Sequence, residues 1–222
     1  IGPIKCIRAS NRTVSGGPIR LGLIGAGHWG RVYIKTVKRL DGFSLVRLAS
    51  SNPESSTLVH TECHISEDWE DVTGADDLDG VIIALPPKLH AEITHAAIAA
   101  SKPVLVEKPL TLDVDEATAL LGDAEQQGAI VHVDHIHLHH PAFRALKNAG
   151  KTLGPVQAIH GFAGDWGPFR LDSSILWDRG SHDVAMCLDL LGQNPQSVSA
   201  QIEESGLTED GLGEAISARL TF

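Results

Sequence analysis

A chain of 222 residues is long enough for one large domain or one and a half ordinary ones. Its 42% hydrophobic and 21% charged residues are an ordinary globular composition, and no apolar run reaches the roughly 20 residues a membrane helix needs. The net charge of −10 argues against a nucleic-acid partner, which favours a basic face. Cys6, Cys63 and Cys187 are odd in number and far apart, which points to a reducing, cytoplasmic setting rather than a disulfide framework.

Residues 1–17 are polar and lack the apolar core of a signal peptide, so they read as an N-terminal extension. The absence of an initiator Met suggests residues lost at that end. From Ile19 short apolar runs alternate with helical periodicity. Arg20–Ala26 predicts a buried strand, and Trp29, Tyr33, Val37 and Leu40 recur at helical spacing. Phe43–Ala49, Cys63–Ile65, Val81–Leu85, Pro103–Glu107 and Ala129–Asp134 predict further strands. His90–Ala100 predicts a helix, as does the stretch from Asp113 to Gly128, with Glu116 as capping-box partner of Asp113. Such alternation calls for a doubly wound parallel α/β sheet, assigned to 18–140.

After Pro141 the pattern changes. A short helix (Phe143–Ala149), a strand (Val156–Phe162), a Gly/Trp/Pro-rich loop at 164–170, a helix (His182–Leu191) and two strands (Val198–Glu203, Ala215–Phe222) predict a shortened α+β domain over 141–222 with a mostly antiparallel open sheet. This second domain reads as unfinished: either the chain is a fragment or another chain covers the sheet.

Gly25-Ala26-Gly27-His28-Trp29-Gly30 follows a strand and opens a helix, which is the context a dinucleotide-binding G-x-G-x-x-G requires. Gly25 permits the turn, Gly27 lets backbone approach a pyrophosphate, and Gly30 lets helix and strand pack closely. The helix N-terminus then offers N–H groups to the phosphates. The carboxylate that usually holds the ribose, about 20 residues on, is missing. Ser50, Ser51 and Asn52 stand there, Glu54 comes slightly late, and no Arg follows, which leaves NAD and NADP both open.

Lys108, in Glu107-Lys108-Pro109, sits at the C-terminal end of a predicted strand, where ligands of parallel sheets bind; it is either a proton-handling group or a solvated strand end. His182, four residues after Asp178, is either a proton-transfer group steadied by that carboxylate or a helix-capping histidine.

These elements, with Pro86-Pro87-Lys88-Leu89-His90, occur in the order found in the glucose–fructose oxidoreductase, inositol dehydrogenase and MocA-type (GFO/IDH/MocA) family, which the chain resembles from about Ile19 to its end. The resemblance implies a Rossmann domain followed by a domain whose open sheet forms a substrate floor and a dimer face. It implies that Lys108 and His182, with Asp178 beside them, contact the reacting hydroxyl of a sugar, cyclitol or nucleotide-linked sugar. It implies that the Glu107–Pro109 turn, with a cis peptide before Pro109, borders the nicotinamide, and that Pro86, Pro87 and His90 join the cofactor site. The competing reading is a non-catalytic cofactor-binding sensor or assembly protein.

Five of the 12 histidines fall between His132 and His140. On an extended segment His135, His137 and His139 would share one face, either as metal ligands or, as preferred here, lining the mouth of the site without a metal, with His135 facing substrate. Trp166 and Arg170 of the 164–170 loop could stack on and clamp a sugar, or form a surface turn. Val156, Ile159, Val198, Ile202, Leu220 and Phe222 would leave a bare apolar sheet face, which predicts a homodimer or homotetramer.

Overall fold

The structure is a computed structural model that describes residues 17–166, 173–209 and 211–222. These residues form two compact units divided between Asp134 and His135. The reason is local: the 3-10 turn Ile136–His139 packs on a helix of the second unit.

In the first unit, strands β1 (Ile19–Ile24), β2 (Phe43–Ala49), β3 (His64–Ser66), β4 (Gly80–Ile83), β5 (Val104–Val106) and β6 (Val131–Val133) form one wholly parallel sheet. Its order, β3-β2-β1-β4-β5-β6, is that of a Rossmann fold. Helices α1 (His28–Val37), α2 (Ser55–Leu58), α3 (Glu70–Thr73), α4 (His90–Ala99) and α5 (Val114–Gln127) connect the strands. All four residues of β4 are buried, as a strand covered by helices on both faces requires. Leu23, Leu48 and Ile82 pack with Ile34 and Val37 of α1; Ile24, Ile83 and Val106 pack with Ile93 and Ala97 of α4.

The cap of α5 differs from prediction. Asp113 Oδ1 accepts from the Asp115 and Glu116 amides at 2.8 and 3.0 Å, but Glu116 turns to the Thr111 hydroxyl, and that hydroxyl accepts the Asp113 N–H at 3.1 Å. The capping box is thus closed through Thr111, which intercepts both groups.

In the second unit, α6 (Pro141–Leu153) is longer than the predicted Phe143–Ala149, because Pro141 suits the first helical position and His140 caps the helix, its Nδ1 accepting the Ala142 N–H at 3.2 Å. The predicted strand Val156–Phe162 is not formed. Its Ile159 is 41% exposed and Phe162 fully so: without a neighbouring strand among the described residues, an apolar extended segment has no ladder to join. A single π-helical turn (Leu176–Gly180) leads into α7 (Ser181–Leu191), and Lys147 of α6 pairs with Asp189 of α7 at 2.7 Å. The second sheet is a hairpin of β7 (Ser197–Thr208) and β8 (Gly211–Thr221). Cross-strand pairs Val198–Leu220, Ala200–Ala218 and Ile202–Ile216 place an apolar stripe on one face. Among the described residues no helix is long and apolar enough to cross a membrane.

Candidate active site

The glycine turn between β1 and α1 has the geometry its three glycines imply. Gly25 holds φ +99°, and a side chain there would meet the Ala84 carbonyl oxygen at 2.4 Å. A side chain at Gly30 would meet the Gly25 carbonyl oxygen at 2.0 Å, so only glycine lets α1 approach the strand so closely. At Gly27 the opposite holds: a Cβ would have nothing within 4 Å, which leaves open space directly before the helix. Among the described residues no side chain caps α1, so its first N–H groups are placed to meet an anion. His28 and Trp29 are exposed on this turn and meet edge to face, their ring centroids 5.5 Å apart. Open space at Gly27 beside an uncapped helix N-terminus fits a dinucleotide pyrophosphate.

Beyond β2, Ser50 is half-buried and its Oγ accepts the Asn52 N–H at 3.1 Å, while Ser51 is exposed. Asn52 Nδ2 donates to the Ala26 carbonyl at 3.4 Å, tying this loop to the glycine turn. Sequence reasoning sought a charged residue directly after β2 and missed one brought by α1: Arg31 pairs with Glu54 at 2.9 Å.

The Glu107-Lys108-Pro109 turn follows β5, and the Lys108–Pro109 peptide is cis, as the family resemblance implies. Lys108 is half-buried. Glu107 is buried, and Tyr33 of α1 reaches its Oε1 at 3.0 Å while also bonding Asp134 at the end of β6. Burial pushes the Glu107 carboxyl above its ordinary range; the Tyr33 hydroxyl opposes this, the charge of Asp134 adds to it, and the Lys108 amide and charge oppose it. The Tyr33 phenol is driven far above its usual value, first by burial and then by its bond to Asp134. Tyr33 was read only as part of a helical stripe, and nothing local in the sequence marks its bond to Glu107.

Pro86 is exposed and Pro87 buried. His90 is fully buried, and its ring nitrogens lie 2.7 Å from the Pro109 carbonyl and 2.8 Å from that of Leu85. The buried His90 ring thus stands between the Pro109 turn and the end of β4, and its one N–H can donate to either carbonyl.

In the second unit, His182 lies in the first turn of α7 and Asp178 in the π-helical turn before it. His137 and His135 surround the His182 ring, with centroids at 4.6 and 5.6 Å and planes near perpendicular. The shared strand face predicted for His135, His137 and His139 is not formed, because β6 stops at Val133 and a 3-10 turn spans Ile136–His139. Among the described residues no group of three or more His, Cys, Asp or Glu is arranged to hold a metal ion. Arg179 pairs with Asp165 at 2.6 Å and lies 3.8 Å from Asp178, tying the π-helical turn to the segment that carries Trp166. Trp166 is 92% exposed, and Arg170 lies outside the described residues.

Residues 19–135 match the oxidoreductase family with an NAD-binding Rossmann fold, GFO/IDH/MocA. The chain belongs to this family. It is 30% identical over 187 residues to UDP-N-acetylglucosamine 3-dehydrogenase of Acidithiobacillus ferrooxidans, spanning 82% of this chain and 57% of that protein. It is 28% identical over 206 residues to inositol 2-dehydrogenase of Rhizobium meliloti, 89% of this chain and 62% of that protein. The chain thus spans about three fifths of the length of these curated relatives. A solved protein of Magnetospirillum magnetotacticum MS-1, its name giving only a provisional oxidoreductase assignment, superposes with a TM-score of 0.88 at 48% identity, covering 93% of this chain and 67% of its own. The fold is shared as well by GenD2 of gentamicin A biosynthesis, solved with NAD, at 22% identity and a TM-score of 0.76 over 91% of this chain and 62% of that one.

Proposed function

We propose that the chain is an NAD(P)-dependent oxidoreductase acting on a carbinol of a sugar, cyclitol or nucleotide-linked sugar. The observation that carries this reading is the glycine turn: open at Gly27, closed at Gly25 and Gly30, and followed by a helix that no side chain of the described residues caps. The named substrates of the two curated relatives, a nucleotide sugar and a cyclitol, support the substrate class.

The first N–H groups of α1 would hold the pyrophosphate, and Ser50, Ser51 and the exposed Pro86 would border the dinucleotide. Bound there, the nicotinamide supplies hydride acceptance and donation. The chain's own residues must manage the hydroxyl proton. An ammonium donates hydrogen bonds and has no lone pair, so Lys108 fixes and polarises the hydroxyl oxygen. An imidazole can accept a proton near neutrality, so His182 takes it, with Asp178 as the nearby carboxylate. His135, Trp166 and Arg170 are proposed to contact the sugar. The apolar stripe of β7 and β8 supports assembly as a homodimer or homotetramer, since a two-stranded ribbon is marginal alone. Free Cys63 and Cys187 support a cytoplasmic setting.

The test is a panel of polyols, sugars and nucleotide sugars with NAD and with NADP, followed at the reduced nicotinamide absorbance. Turnover of at least one member is expected. Dinucleotide binding without turnover of any would favour the sensor reading.

A further inference from the structure

We infer that Arg31 and Glu54 set the choice between NAD and NADP, Glu54 acting as a restraint on Arg31. This rests on the dinucleotide reading above and adds to it the group that meets the adenine ribose.

In a Rossmann fold the ribose hydroxyls lie at the C-terminal end of the second strand, where a carboxylate favours the free 2′-hydroxyl and a nearby Arg accommodates a 2′-phosphate. Here β2 ends at Ala49, and the next two residues, Ser50 and Ser51, are uncharged. The charged groups come from slightly further on and from another element. Glu54 lies just past the Ser50–Asn52 loop, and Arg31 is the fourth residue of α1. Their side chains meet at 2.9 Å.

The pair stands in a fixed relation to the glycine turn. The Glu54 N–H donates to Asn52 Oδ1 at 3.0 Å, and Asn52 Nδ2 donates to the Ala26 carbonyl at 3.4 Å. Arg31 is anchored from the other side, its N–H bonded to the Gly27 carbonyl at 3.0 Å. Both carriers of charge are therefore tied to the turn that fits the pyrophosphate.

The pair is also open. The side chains are 40% and 65% exposed, and exposed ion pairs contribute little stability, so a ligand can replace either partner. A 2′-phosphate offers Arg a doubly charged, fork-matched acceptor better than one carboxylate. Against this, Glu54 both occupies the guanidinium and repels the phosphate. A 2′-hydroxyl carries no charge, so Glu54 does not repel it and it does not compete for the guanidinium as a phosphate does. The wild type therefore prefers NAD modestly, and Arg31 is a phosphate site held in reserve.

The experiment is calorimetric titration of NAD and NADP into the parent chain, Glu54→Gln, Arg31→Gln and the double variant, at one salt concentration. Glu54→Gln should tighten NADP by about tenfold to a hundredfold, the range of one charge-assisted hydrogen bond, with NAD changed by less than about threefold. Arg31→Gln should weaken NADP, and the double variant should lose the gain. A merely structural tie would move both dinucleotides together, so the ratio is the reading that matters. A ratio in Glu54→Gln within about twofold of the parent, or a gain that persists in the double variant, overturns the inference while leaving the dinucleotide site intact. Failure of the parent to bind either dinucleotide overturns both.

Discussion

Tyr33 Oη lies 3.0 Å from Glu107 Oε1 and bonds Asp134 as well, so one phenol joins helix α1 to the ends of β5 and the edge strand β6. A phenol has a single hydrogen to give, and two carboxylates can share it comfortably only if one carboxyl keeps its own proton. Glu107, raised by burial, is the group suited to that. The cluster thus holds the turn that carries Lys108 against the helix that carries the glycine turn. Tyr33→Phe leaves the Glu107 and Asp134 oxygens short of a donor, and unfolding in urea should show a loss of about 1–3 kcal/mol, the cost of leaving a buried polar group unsatisfied. A midpoint equal to the parent's would remove Tyr33 from this role.

Because burial raises the Glu107 carboxyl in the folded chain, the folded state retains a proton that the unfolded chain has released between the ordinary carboxylate value and the raised one. Glu107 therefore contributes stability that is fully present below the ordinary value and fades as pH rises through the folded one. His90 acts in the other sense: burial lowers its value, so stability falls as pH drops below the ordinary histidine range. Comparison with Glu107→Gln separates the two. Urea midpoints across the acid-to-neutral range should fall with rising pH more in the parent than in the variant; parallel profiles would contradict this.

The three glycines of the turn should separate by substitution. Gly30→Ala drives a Cβ into the Gly25 carbonyl oxygen and should cost about 1–3 kcal/mol, as overpacking does. Gly27 has φ −71° and open space, so Gly27→Ala should keep the parent's melting temperature yet weaken dinucleotide binding by about tenfold or more. Thermal unfolding and titration of both variants check this; equal affinity in Gly27→Ala would place the pyrophosphate elsewhere.

Much of this was legible in the sequence, and the remainder was not for physical reasons. Buried runs such as Val81–Ile83 and the glycine turn are local signals, and each lies where the pattern predicts. Val156–Phe162 carries a strand's apolar pattern, but pairing depends on a neighbour, which no pattern inside the segment reports. Tyr33 reaches partners 74 and 101 positions away, and Arg31 reaches Glu54 across 23. Such contacts are set by the strand order β1-β4-β5-β6 and by the packing of α1, not by any spacing within one element. The histidine run showed the same limit: its residues gather at His182 through a 3-10 turn rather than along a strand face.

If Lys108 and His182 manage the hydroxyl proton, Lys108→Ala and His182→Ala should each lower turnover about 10²–10⁴-fold, the usual contribution of a positioned acid or base, with dinucleotide affinity little changed. Steady-state rates with a substrate from the panel, alongside titration, measure both quantities. Turnover within about threefold of the parent in both variants would take these residues out of the mechanism.

Calorimetric titration of the folded chain with NAD, NADP and their reduced forms tests the dinucleotide site most directly. Saturable binding of at least one form, one per chain and weakened by Gly27→Ala, is the predicted result. Absence of saturable binding with all four, in protein whose melting curve shows it folded, would contradict it.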